Sequence, residues 1–205
     1  EGGCFRMIAY HGTTVCGIRV LKPFANLASN LDYPCVYLSA NQALASVYIW
    51  RYPFKWMTFE IREDGVPVYN ETFSNGLRSF YEGVKGVIYT AEGDFETDAN
   101  TTIRHAVISR EPVPIQRADE VEDAYERILR YEREGRLFIR RFDQLTEAER
   151  ARDRRMVANT IQRLRLWEEI QTIERGEAGN PLAPFVRDTF PDIWEEALRQ
   201  ENLSE

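Results

Sequence analysis

The chain has 205 residues, of which 43% are hydrophobic and 12% aromatic, enough for one medium-sized domain or for a domain with a helical annex. Its formal net charge of −7 argues against unspecific binding to DNA or RNA, because such binding needs a basic surface that neutralises phosphates, but it leaves room for a local basic cleft. The three cysteines form no C-x-x-C pair and do not cluster with the two histidines, so we expect reduced thiols and no metal site.

The first part of the chain, to about residue 117, has the composition of strands. Trp56–Ile61 alternates in the period-2 manner of a half-buried strand, and Asp64-Gly65 predicts a hairpin turn to the next one. The intervening stretch "ANQALASVYIW" predicts a helix that Ser39 caps. We therefore predict an α+β domain, mostly strands, over residues 1–117.

The remainder, residues 118–205, has helical spacing of its apolar residues. Asp119 is placed to cap a first helix that closes at Gly135. Thr146 and Glu149 have the spacing of a capping box, and the helical pattern continues from there to Gly176. This segregation of strands from helices argues against a doubly wound α/β fold and predicts a helical C-terminal region.

Apolar runs are short throughout the sequence. None has the length of a signal peptide or of the ~20 residues that span a bilayer. We therefore expect a cytoplasmic protein without a membrane partner.

A small set of polar and aromatic residues stands out near the start of the chain. His11-Gly12 ends a strand-like run, Tyr37 lies in the next run, and Tyr48 follows eleven residues later on the predicted helix. A glycine lets a ligand or the backbone approach closely, and two phenol rings can flank a flat aromatic ligand. Hydroxyls that could bind a sugar or an amide stand beside them, at Thr13 and Ser39.

Taken in order, "YHGT" and "VYLSANQALASVY" resemble the ADP-ribosyltransferase fold of the poly(ADP-ribose) polymerase and diphtheria-toxin type, over about residues 5–110. The resemblance implies that NAD is the substrate and that its nicotinamide–ribose bond is cleaved. ADP-ribose then passes to a macromolecular acceptor that we have not identified. We expect a protein rather than a nucleic acid as this acceptor, because the chain is acidic.

The resemblance also implies roles for individual residues. His11 is expected to hold the ribose, Tyr37 and Tyr48 to sandwich the nicotinamide, and Arg51 to contact a phosphate. The complete NAD-binding set would be His11, Gly12, Thr13, Tyr37, Ser39, Tyr48 and Arg51.

The third catalytic element of the polymerase branch is a glutamate at the edge of a late strand, which steadies positive charge in the transition state. The comparable position here falls on or next to Gly86, with Glu82 a few residues before it and Glu92 a few after it. We assign the role to Glu92, so that the predicted catalytic residues are His11, Tyr37 and Glu92.

Two alternatives remain open at this point. A non-catalytic nucleotide- or protein-binding module could keep the pocket and lack the glutamate. The NAD-dependent RNA 2′-phosphotransferases are also similar, through "HGT", "YLS" and "KGVIYT". A basic groove formed by Arg51, Lys55 and Lys85 would favour that branch. His105, away from the motif, is read as structural.

Overall fold

A computed structural model describes residues 6–25, 31–54, 56, 58–97 and 104–202. It is a mixture of helices and mostly antiparallel strands, which confirms the predicted α+β class. The chain divides into two compact units. The first comprises Glu1–Arg51, Met57–Glu71 and Asn75–Arg140, and the second comprises Tyr52–Trp56, Thr72–Ser74 and Arg141–Glu205.

The first unit is built on a five-stranded sheet with the order β7-β3-β1-β6-β9. Its strands are antiparallel to their neighbours: β1 (Arg6–Thr13), β3 (Val36–Ser39), β6 (Gly86–Asp94), β7 (Ala106–Ser109) and β9 (Arg117–Val121). The central pair is β1 and β6, whose register runs from Arg6–Asp94 to Thr13–Val87. The short strands β2 (Val20–Leu21) and β8 (Val113–Pro114) form a ribbon of their own.

One face of the large sheet carries an apolar cluster. Alternate residues of a strand point to the same face, so Ala9 of β1, Leu38 of β3 and Ala91 of β6 meet there. Leu21 and Val113 of the β2–β8 ribbon pack against them. His11 lies two residues after Ala9 and therefore points to this same face.

On the opposite face, the segment that contains Ala45 and Ile49 packs against Gly12 and Gly86. The first unit contains α1 (Gln42–Ser46), α2 (Gly76–Tyr81) and α3 (Ala124–Arg133). A smaller sheet, with the order β10-β5-β4, consists of β4 (Thr58–Ile61), β5 (Pro67–Asn70) and β10 (Phe138–Arg140). The β4–β5 hairpin turns at Asp64-Gly65 as predicted, with Gly65 at φ +83°, whereas β10 joins β5 in parallel.

The second unit is helical: α4 (Glu147–Arg163), α5 (Leu166–Glu174), α6 (Leu182–Thr189) and α7 (Pro191–Asn202), after a 3-10 turn at Phe142–Gln144. The predicted capping box is confirmed, since Thr146 Oγ1 accepts from Glu149 N and the Glu149 side chain accepts from Thr146 N. Arg154 of α4 and Asp192 of α7 form an ion pair of 2.7 Å.

Three details of the predicted helices are wrong. Asp119 lies inside strand β9, and Asp123 caps α3 instead, accepting from Tyr125 N and Glu126 N. The long helix is broken after Leu164, because Arg165 takes the left-handed conformation at φ +46°. Helix α1 is only five residues long and is capped by Asn41 rather than by Ser39.

The predicted boundary at residues 117 and 118 falls at the start of β9, which pairs with β6 in the first unit. Among the described residues, no helix combines the length and the apolar composition that a membrane span requires.

Candidate functional site

His11 is the most informative residue of the predicted site. Its Nδ1 lies 2.9 Å from the carbonyl oxygen of Tyr37. A carbonyl can only accept, so Nδ1 carries the proton and Nε2 keeps its lone pair. Burial lowers the pKa of His11 below its usual 6.5, with the Tyr37 carbonyl acting in the opposite direction. The imidazole is therefore neutral at pH 7, and its Nε2 has no hydrogen-bond partner among the described residues.

The contact from His11 to Tyr37 occurs where two neighbouring strands separate. Within the described residues, the register between β1 and β3 consists of the pair Tyr10–Ser39. One residue further along β1, the Nδ1 of His11 donates to the carbonyl oxygen of Tyr37. If the pairing of β1 with β3 had continued, a backbone amide of β1 would have donated to this oxygen instead. The two sequence motifs, 26 residues apart, are thus joined directly at the point where the sheet opens.

Gly12 is required by a close approach of the backbone. A Cβ at this position would lie 1.9 Å from the carbonyl oxygen of Ala45 and 3.4 Å from Cγ1 of Ile49. Helix α1 therefore packs directly on the strand at Gly12. The sequence left open whether a ligand or the backbone comes close here, and in the structure it is the backbone of α1.

The ring of Tyr37 lies on the other face of the sheet from His11. It packs beside the cluster of Leu31, Cys35 and Ile108, and meets the edge of Phe24 at a centroid distance of 6.3 Å. Phe24 itself is half exposed. The backbone of Tyr37, rather than its phenol, therefore makes the contact with His11.

Ser39 and Thr13 use their hydroxyls locally. Ser39 is buried, and its Oγ accepts from Asn41 N at 3.0 Å, which orders the turn into α1. Thr13 Oγ1 accepts from Val15 N at 3.2 Å. Both hydroxyls shape the two loops that leave the end of the sheet near His11.

Tyr48 stands just beyond α1 in an aromatic cluster. Its ring lies 5.5 Å from that of Trp50 and 6.2 Å from that of Phe59, which continues to Tyr69 at 5.8 Å. Burial raises the pKa of Tyr48 to about 12. The structure thus places Tyr48 against a packed aromatic core on one side, and among the described residues no hydrogen bond joins it to His11.

Arg51 is engaged with the end of α2. Its backbone N donates to Phe80 O at 3.0 Å, and its Nη2 donates to the carbonyl oxygen of Glu82. The nearby Lys85 pairs with Glu122 at 2.8 Å. Lys55, the third residue of the predicted basic groove, lies outside the described residues.

The two candidate glutamates both have partners. Glu92 Oε1 lies 3.4 Å from Arg6 Nε, and Glu92 Oε2 accepts from Gln116 Nε2 at 3.2 Å. Glu92 pairs across the strands with Ile8, three residues along β1 from His11, which is about 10 Å. This register also directs Glu92 to the face opposite His11. Glu82 pairs with Arg78 at 2.6 Å.

Gly86, on or next to which the expected position of the catalytic glutamate falls, has no room for a side chain. A Cβ on Gly86 would lie 2.4 Å from Cγ2 of Ile49 and 2.5 Å from the carbonyl oxygen of Thr13. Gly12 and Gly86 thus form a pair of small positions on adjacent strands that admit the α1 segment.

Sequence reasoning missed Tyr89, which is the β6 partner of His11. Only 1% of Tyr89 is exposed, yet its hydroxyl accepts from Ile18 N and donates to Val15 O, each at 3.0 Å. Tyr89 therefore ties the loop after the His-Gly motif to the strand beside His11. A tyrosine within a buried strand was the available signal, but the loop it binds is more than 70 residues away in sequence.

No family model, no curated protein and no solved structure matches this chain. In the part of the chain that the structure describes, no group of three or more His, Cys, Asp or Glu side chains is arranged to hold a metal ion.

Proposed function

We propose that the protein binds NAD at the His11 end of the sheet and transfers ADP-ribose to a macromolecular acceptor. The observation that carries this proposal is the hydrogen bond from His11 Nδ1 to the Tyr37 carbonyl, which leaves Nε2 as an acceptor without a partner among the described residues. A neutral imidazole with a free Nε2 suits a ribose hydroxyl, which can donate to it. The resemblance of the His-Gly and Tyr-x-Ser motifs to the ADP-ribosyltransferases supplies the substrate class.

In this proposal the protein breaks the bond between the ribose C1′ and the nicotinamide nitrogen. Nicotinamide leaves with the bonding electron pair, which neutralises its ring nitrogen. The acceptor nucleophile then forms the new bond to C1′ and loses a proton. His11 holds the ribose while positive charge develops at C1′. The acceptor would be a protein rather than a nucleic acid, because the chain has a net charge of −7 and the described Arg51 and Lys85 are already occupied.

A second candidate is a module on the same fold that binds a nucleotide without turnover. The position of Glu92 favours it, since this carboxylate pairs with Arg6 and points away from the face of His11. Gly86 supplies no carboxylate in its place. Binding without cleavage of NAD would select this candidate.

The test is nicotinamide release from NAD by the purified chain, with His11→Ala and His105→Ala measured in parallel. The chain contains two histidines, and the Nε2 of His105 contacts the carbonyl oxygen of Gly65 at 2.8 Å, so His105 is a matched control. We expect release by the wild type and by His105→Ala, and a loss of at least about tenfold in His11→Ala, which corresponds to about 1.4 kcal/mol. Equal release by all three proteins would refute the role of His11.

A further inference from the structure

The loop after the His-Gly motif contains a turn that is closed by a side chain from another strand. Val15, Cys16, Gly17 and Ile18 form this segment, with Gly17 in the left-handed region at φ +78°. In a common β-turn the first carbonyl accepts from the fourth amide. Here Val15 O accepts instead from the hydroxyl of Tyr89, and Ile18 N donates to that same hydroxyl. We call this segment, Val15–Ile18, the bridged turn.

Tyr89 fixes the bridged turn at a defined place beside His11. His11 and Tyr89 are direct partners between β1 and β6, and side chains of such partners leave the same face of a sheet. The Tyr89 side chain is almost completely buried, so its hydroxyl has little freedom to move. The bridged turn is therefore anchored to the immediate neighbour of the residue that carries the proposed function.

We propose that Tyr89 is a positioning residue of the NAD site, and that its hydroxyl holds the bridged turn as the wall of the site next to His11. The inference rests on the proposed function, since it names a further part of the same site. The Tyr89 hydroxyl already uses its proton on Val15 O and one lone pair on Ile18 N. It therefore acts through the backbone of the turn and has no part in the cleavage of the nicotinamide–ribose bond.

The first test compares Tyr89→Phe with Tyr131→Phe, a buried tyrosine of α3 whose hydroxyl has no hydrogen bond within the described residues. In Tyr89→Phe, Ile18 N can reach Val15 O directly, which moves the wall. We expect faster hydrogen exchange at the Ile18 amide and a rise of about tenfold in the KM and Kd for NAD, about 1.4 kcal/mol. The kcat should stay within about twofold, because the hydroxyl does not contact the reacting bond. Tyr131→Phe should match the wild type.

A second variant keeps the test decisive if Tyr89→Phe does not fold. Gly17→Ala leaves Tyr89 in place and strains the turn, because a Cβ on Gly17 meets no atom of the described residues within 4 Å while its φ is positive. It should weaken NAD binding in the same direction, with kcat preserved.

The outcomes separate this inference from the proposed function. If the wild type binds NAD and both variants bind it equally well, the turn is not a wall of the site and the inference is wrong. A fall in kcat at unchanged Kd would also overturn it, since Tyr89 would then act on the chemistry. If the wild type neither binds nor cleaves NAD, the proposed function fails, and this inference fails with it.

Discussion

Gly12 offers the sharpest test of how the sheet and α1 are packed. In Gly12→Ala the new Cβ would stand 1.9 Å from the carbonyl oxygen of Ala45, whereas real Cβ contacts are essentially never below 3.0 Å. The backbone of α1 must therefore retreat by at least about 1.1 Å, and no side-chain rotation can relieve the contact. Overpacking of a core costs about 1–3 kcal/mol, and a clash with backbone belongs at the upper end of that range.

The assay is thermal and chemical unfolding, with Gly93→Ala as the matched control. Gly93 also lies on a strand of the same sheet, but the nearest atom of the described residues to its added Cβ would be Phe95 Cζ, at 3.4 Å. For about 3 kcal/mol we expect Gly12→Ala to lower the Tm by about 6–12 °C, and Gly93→Ala to change it by less than about 2 °C. If Gly12→Ala keeps the Tm of the wild type and loses only NAD binding, the glycine serves a ligand and the packing argument is wrong.

Four further predictions concern charge and capping. Because the pKa of His11 is lowered in the folded state, the unfolded chain binds a proton at a higher pH than the folded chain does, so the free energy of unfolding should fall as pH drops below about 6.5. In urea titrations, His11→Gln should reduce the dependence of this free energy on pH. An unchanged dependence would contradict the burial of His11. Burial raises the pKa of Asp153, so Asp153→Asn should raise the Tm at pH 7. This gain should vanish as pH falls through about 4, because the carboxyl of the wild type is then protonated as well. A lower Tm of Asp153→Asn at pH 7 would contradict this prediction. Thr146→Ala removes the capping box of α4 and should cost about 1 kcal/mol in urea unfolding, with Thr160→Ala, in the same helix, as the control that stays near the wild type. Glu92→Gln breaks an exposed pair with Arg6 and should change stability by less than about 1 kcal/mol, and a loss of nicotinamide release in this variant would support the predicted catalytic role of Glu92.

Local signals of the sequence were sufficient for several elements. The Asp64-Gly65 turn and the Thr146–Glu149 capping box are both present, because each depends on residues within four positions of one another. Most of the run "KGVIYTA", which is rich in β-branched and aromatic residues, lies in strand β6. Propensity and turn chemistry act locally, and these elements follow from them.

Elements that depend on distant partners were not predictable in the same way. Residues 118–121 belong to the region whose apolar spacing predicts helices, yet Arg117–Val121 forms strand β9, because its backbone pairs with β6. The helix breaks at Arg165 without a glycine or proline at that position, so the sequence contains no local signal for the break. In the candidate site, the hydrogen bond between His11 and Tyr37 joins the two motifs that the sequence had singled out. The hydrogen bond of Tyr89 to the bridged turn joins residues that no local sequence pattern connects.

The measurement that tests the central claim most directly is the ¹⁵N NMR spectrum of histidine-labelled protein during a titration with NAD. The chain has two histidines, so the spectrum contains four ring nitrogens. Before addition, His11 should show a protonated Nδ1 and an unprotonated Nε2, as its bond to the Tyr37 carbonyl requires. If Nε2 of His11 accepts from the ribose, its resonance should shift with saturation while both nitrogens of His105 stay in place. Histidine resonances that remain unchanged at saturating NAD, or that shift at His105 alone, would contradict the proposed site.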